Sequence, residues 1–159
     1  GNVRQEGIYL DETVTRMCYT HRRLLSNLAM SLINEGKTDQ AKKVLDKCEK
    51  ELPAYNVPHD YYSGSLDLAR AYKLTGQNAK AQQLIDQLWK KSQQYLMWYC
   101  SLDGYRFDGS QRDCMINIYA MNQLVDLQTS IDEKKVTQKD QQLEGLIQLY
   151  HSKGGRFEQ

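Results

Sequence analysis

The chain has 159 residues, with 21 Lys and Arg against 20 Asp and Glu and a net charge of +1. That balance excludes the basic field that draws a domain to nucleic acid or to an acidic membrane surface, so neither is expected as a partner. Only two prolines and ten glycines, among many Leu, Gln, Lys and Asp, favour helix over sheet. No apolar run nears the roughly 20 residues needed to span a bilayer, so direct membrane insertion is not expected. The length suits a single domain with a real core.

Residues 1–10 lack periodicity and read as a lead-in; the chain opens on Gly1 without Met or signal peptide, as a piece excised from a longer protein would. Asp11 is a candidate N-cap for a long helix. Its apolar stripe runs through Val14, Met17, Cys18, His21, Leu24 or Leu25, Leu28, Ala29 and Leu32, ending at Gly36 as a positive-φ cap. A second helix restarts at Thr38 or Asp39 with Ala41, Val44, Leu45 and Cys48, and Pro53 closes it. After a loop from Ala54 to Asp60, a third helix covers about Tyr61 to Thr75, stopped by Gly76.

The fourth helix is regular, with Ala81, Leu84, Ile85, Leu88, Ser92, Tyr95, Leu96, Tyr99 and Leu102 on one stripe. Unbroken, its roughly 25 residues reach about 37 Å, longer than one hairpin requires. The segment Asp103 to Gly109 reads as a turn, with Asp108 or Ser110 capping helix five, which carries Met115, Ile118, Asn122 and Val125 and ends near Ile131. Helix six carries Leu143, Leu146, Ile147 and Tyr150, and residues 154–159 are expected to fray. The expectation is therefore an all-α domain over 11–153, with about six helices in hairpins 11–53, 60–102 and 108–153.

Laid on itself at an offset of 40, the chain aligns Gly36 with Gly76, Ala41 with Ala81, Leu45 with Ile85, Asp46 with Asp86 and Leu28-Ala29 with Leu68-Ala69. The first copy reads Leu25-x2-Leu28-Ala29-x2-Leu32, then Ala41-x3-Leu45, then Pro53; the second reads Ser65-x2-Leu68-Ala69-x2-Tyr72, then Ala81-x3-Ile85. This is the tetratricopeptide pattern, in which small residues let paired helices approach and large ones fill the gaps. The usual period is about 34, and the excess falls at Asn56-Val57-Pro58-His59-Asp60-Tyr61. Such hairpins stack into a right-handed α–α superhelix.

The runs YLDETVTRMCYTHRRLLSNLA, EGKTDQAKKVLDKCEKELP and YNVPHDYYSGSLDLARAYKLTG together resemble the C-terminal helical-repeat region of a bacterial multi-pass membrane-protein family. The membrane part of that family resembles protein O-mannosyltransferases. The resemblance implies that the sugar-handling part precedes residue 1 and that this segment lies on the extracytoplasmic (periplasmic) face. It supplies no catalytic residue that matches a position here.

The expected function is thus a non-catalytic interaction or scaffolding domain, its partner a protein or peptide, including the parent's own membrane domain. A free-standing peptide-binding adaptor is the alternative. The concave side of the stacked hairpins would carry Arg23, Ser26, Met30, Ile33 and Asn34 from the first unit, with Ser63, Leu66, Arg70, Lys73 and Leu74 from the second. Asp67 occupies one position of the tetratricopeptide carboxylate clamp and argues against that mode of binding.

No catalytic, cofactor or metal site is expected. Cys18 and His21 share a helix without further ligands, His59 and His151 are isolated, and Asp103 and Asp108 lack the alternation of a calcium loop. Nor is there a phosphate loop or nucleophile motif. Of the cysteines, four reduced thiols is the leading reading, with a Cys100–Cys114 disulfide the alternative. The aromatic group Trp89, Tyr95, Trp98, Tyr99, Tyr105 and Phe107 is read first as core. Trp89 and Trp98 have a second reading, docking to a membrane part or stacking on a sugar.

Overall fold

The computed structural model describes residues 2–157. Among them lie six α-helices and no strand: α1 (Glu12–Asn34), α2 (Thr38–Glu51), α3 (Ser65–Leu74), α4 (Asn78–Ser101), α5 (Tyr105–Thr129) and α6 (Val136–Ser152). The chain divides into two compact units, Gly1–Leu88 and Trp89–Gln159. The division falls inside α4 rather than at an expected hairpin boundary. α4 has 24 residues against 10 in α3.

In the first unit α1 packs on both α2 and α3. Asp11 caps α1 as expected, its side chain accepting a hydrogen bond from the Val14 N–H at 2.9 Å. The two repeats end their first helices identically. Gly36 and Gly76 take φ of 74° and 79°. The following N–H then reaches back over the end, Lys37 to the Leu32 carbonyl and Gln77 to the Tyr72 carbonyl, both at 2.8 Å. These bonds use carbonyls that the helix itself leaves unpaired. Ala29, Ala41, Ala69 and Ala81 are all fully buried, so the small positions of the pattern lie where helices meet.

The buried face of α1 matches the expected apolar stripe only in part, at Cys18 and Ala29. Cys18, Arg22, Ser26 and Ala29 point inward, whereas Met17, Leu24 and Leu28 are 67%, 63% and 48% exposed. A polar network claims the interior positions, which rotates the helix away from its most apolar side. The same happens in α5, where Asn117 and Gln128 are buried beside Ile118, Met121 and Leu124, and Asn122 is exposed. Helix α3 starts four residues later than expected, because Asp60 to Gly64 forms a turn closed by the Ser63 N–H to Asp60 carbonyl bond.

In the second unit α5 packs on α6. The expected turn at Asp103–Gly109 is mostly helix: α5 begins at Tyr105, and Phe107 is buried at 3% exposure. Neither Asp108 nor Ser110 caps it; Gly104 is the N-cap residue and offers no side chain. Residues 154–157 do not fray. Gly155 packs so closely on Tyr150 that a Cβ there would lie 2.3 Å from the ring, and the Tyr150 hydroxyl donates to the Arg156 carbonyl at 2.7 Å. Phe157 packs at a tilt on Tyr150 and edge-on to His151, with centroids 5.5 and 5.1 Å apart. The last two residues of the expected tail lie outside the described residues.

The lead-in is held as well. The Asn56 amide donates to the Val3 and Gln5 carbonyls at 2.6 and 2.7 Å, and the Tyr55 hydroxyl donates to the Arg4 carbonyl at 2.6 Å. No described helix is long and apolar enough to cross a membrane.

Candidate functional site

The residues of the expected concave face do not form one accessible surface. Ser26 and Ser63 are fully buried. Ser26 donates to the Arg22 and Gly64 carbonyls at 2.8 and 3.3 Å, and Ser63 donates to the Asp60 carbonyl at 2.8 Å. They are part of the α1–α3 packing. Arg23, Asn34 and Leu74 are exposed, while Met30, Ile33, Leu66, Arg70 and Lys73 are half-buried. Arg23 donates to the Tyr62 carbonyl at 2.8 Å, and Arg70 forms an ion pair with Asp67 at 2.9 Å. Asp67 therefore pairs with the cation beside it.

A residue that sequence reasoning missed organises the first unit. Arg22 is fully buried, and its hydrogen-bond partners are all neutral. One terminal nitrogen donates to the Pro58 carbonyl and to the Ser63 and Ser65 hydroxyls at 3.0, 3.2 and 3.4 Å; the other donates to the carbonyls of Val57 and of Leu52, the latter at 3.3 Å. Its Nε is buried with no partner. Taking a guanidinium out of water costs several kcal/mol, offset here by carbonyl and hydroxyl oxygens that would otherwise be unpaired themselves. The residues that follow Pro53 thus fold around Arg22, which explains why the extra residues of the repeat are accommodated there.

Beside this network lies a cavity of about 580 Å³, lined from α1, α2, the loop at 53–59, α3 and the first half of α4. Its charged lining is Arg4, Arg22, Lys50 and Lys80 with the single carboxylate Glu49. Its apolar walls include Leu68, Tyr72, Leu84 and Tyr55. Glu49 accepts from Lys80 at 2.7 Å and lies near enough to the Tyr72 phenol to act on its protonation, and Lys80 also lies 5.4 Å from the Tyr72 ring centroid. Burial, reinforced by Glu49, pushes the Tyr72 phenol up, so it remains a protonated donor.

His59 meets the Ser65 hydroxyl through Nδ1 at 2.7 Å. Burial, aided by the Arg22 charge, brings His59 down to about 4, so the imidazole is neutral at neutral pH. Cys48 on the same cavity is pushed up to about 11 by burial and stays a thiol. It is no nucleophile in this setting.

The remaining candidates separate. Cys18 is buried while His21 is exposed, so the two do not share a face. Asp103 pairs with Lys153 at 2.8 Å, which holds its carboxyl below the usual range. His151 meets the Gly155 carbonyl through Nδ1 at 3.0 Å. All four cysteines are buried and free, and the Cys100 and Cys114 thiols are close enough to influence each other's protonation. Among the aromatics, Trp89 is core, donating to Gln142 at 2.8 Å, as is Phe107, whereas Trp98 and Tyr105 are 58% and 79% exposed.

Comparison with known proteins gives no further bearing: no family model, curated protein or solved structure matches the chain.

Proposed function

We propose that this chain is a non-catalytic, tetratricopeptide-like interaction domain, its hairpins stacked in the right-handed sense usual for such repeats. The observation that carries this is the repeated hairpin end: Gly36 and Gly76 close their helices with equivalent bonds, and the four small positions are all fully buried. Repeats of that design present long exposed helix faces to proteins and peptides. Of the residues expected on that face, Arg23, Asn34 and Leu74 are exposed and Lys73 is half-buried, a mixed basic, polar and apolar set of the kind such contacts use.

The resemblance noted above extends the reading. The domain is appended to a membrane protein resembling O-mannosyltransferases, sits on the extracytoplasmic face, and scaffolds that protein or engages its acceptor. The second reading, a free-standing adaptor, differs in having no membrane parent. A peptide array probed with the chain is expected to give sequence-dependent binding that Lys73→Glu and Leu74→Asp reduce. Binding insensitive to both variants would remove the face from consideration. Release of polyprenyl phosphate when the chain alone is incubated with lipid-linked mannose and a Ser-rich peptide would refute the non-catalytic reading.

A further inference from the structure

We propose that the cavity between α2, the 53–59 loop and α4 is a binding site for a small neutral molecule whose carbonyl oxygen accepts a hydrogen bond from His59 Nε2–H. The proton can be placed from the neighbouring hydroxyls. The Ser63 hydroxyl accepts from the Asp60 N–H at 2.9 Å and from Arg22 at 3.2 Å, which fills both of its acceptor sites. It can therefore only donate, and the Ser65 hydroxyl 2.7 Å away cannot give its proton there. Ser65 is fully buried, and the acceptor left to it is His59 Nδ1 at 2.7 Å. The neutral imidazole thus carries its proton on Nε2. The opposite tautomer would strand the Ser65 proton without an acceptor.

Among the described residues, the buried polar side-chain atoms without a partner are Arg22 Nε and Asn117 Oδ1. His59 Nε2 has no protein partner either, so it is open to solvent, at the cavity that His59 lines. Charge on and beneath that cavity balances. Arg4, Arg22, Lys50 and Lys80 stand against Asp46, Glu49, Glu51 and the buried Asp60, which acts with Arg22 on the Tyr19 phenol. An ionised ligand would give up its hydration with no net charge to offset the loss. The Tyr55 hydroxyl is engaged by the Arg4 carbonyl and Lys80 by Glu49, so the Tyr55 ring, Leu68 and Leu84 offer apolar surface rather than further hydrogen bonds. One open neutral donor among apolar walls suits a single acceptor on an apolar body. The volume of about 580 Å³ lies within the range of small-molecule sites. This site is separate from the helix face on which the interaction function rests, so either can fail without the other.

The test titrates the ¹⁵N-labelled chain with 4-phenylbutan-2-one, the anion 3-phenylpropanoate and propylbenzene, which has no acceptor, at equal ionic strength. Saturable shifts at Tyr55, His59 and Leu84 are expected with the ketone, and both comparators should bind roughly three- to tenfold more weakly. N-acetylphenylalaninamide carries a carbonyl in peptide form; whether it or the ketone binds tighter tells if a peptide or a free molecule supplies the group. His59→Phe is expected to weaken the ketone by the same factor while leaving propylbenzene unchanged. A long-range ¹H–¹⁵N correlation of the unsubstituted chain at pH 7 needs no variant to fold, and should find the His59 proton on Nε2. A proton on Nδ1, carboxylate or propylbenzene binding as tightly as the ketone, or no saturable shift with either carbonyl compound would each overturn the proposal.

Discussion

Gly64 lies directly against Arg23: a Cβ on Gly64 would stand 2.7 Å from Arg23 Cγ and 2.9 Å from the Arg23 backbone nitrogen. The approach is part of how α3 meets α1, since Ser26 reaches the Gly64 carbonyl across the same gap. Gly64 also takes φ of 80°, where any side chain is strained. Gly36 has a similar φ of 74° but open space around it.

These two glycines separate strain from collision. Gly36→Ala is expected to cost about 1 kcal/mol, the conformational part alone. Gly64→Ala adds a clash with backbone atoms that cannot step aside, and about 3 kcal/mol is expected. Urea denaturation of both variants measures the difference. Equal losses would mean that α1 and α3 do not pack as closely as described.

The half-buried His59 makes stability depend on pH. His59 has a folded value of about 4 against about 6.5 when unfolded. Between these limits the unfolded chain binds the proton and the folded chain does not, so its stability is complete above about pH 7 and falls as pH drops from 6.5 to 4. The loss attributable to this group is about 2–3 kcal/mol. His59→Gln should flatten that part of the stability profile, and an NMR titration should find the imidazole still neutral at pH 5. Titration near 6.5 would contradict the burial.

Cys100 and Cys114 are positioned to join. Their thiols are close enough to influence each other's protonation, and burial raises both, Cys114 to about 12, which keeps them slow to react. Oxidised glutathione at pH 8.5 in mild urea is expected to close the pair, taking two hydrogens and two electrons and yielding two reduced glutathiones. Intact-mass analysis should show a loss of about 2 Da that Cys100→Ser abolishes. The closed loop of about 15 residues should add up to about 3 kcal/mol. Recovery of Cys100 and Cys114 as free thiols after that treatment would show that the helices hold them apart.

Much of the architecture was legible in the residues because it rests on local rules. Asp11 caps a helix through its own side chain, Gly36 and Gly76 end helices by tolerating positive φ, and the alanines at 29, 41, 69 and 81 are small wherever they lie. The interior of α1 was not legible. An apolar pattern assigns Met17, Leu24 and Leu28 to the core and gives no reason to bury an arginine. Arg22 goes inside because five oxygens, drawn from residues 30 to 43 positions away, converge on it. A convergence of that range leaves no periodic trace.

By itself, then, the sequence determined an all-helical chain, the repeat at an offset of 40, and the place of its irregularity at residues 56–61. The tertiary structure decided what the irregularity does. It wraps a buried cation, orders the loop, and leaves a cavity beside it. The division inside α4 is likewise a tertiary fact, because helical periodicity runs through it unchanged and only packing partners distinguish its two halves. Local propensity sets where helices begin and end; long-range hydrogen bonding and the cost of burying charge set which of their faces turn inward.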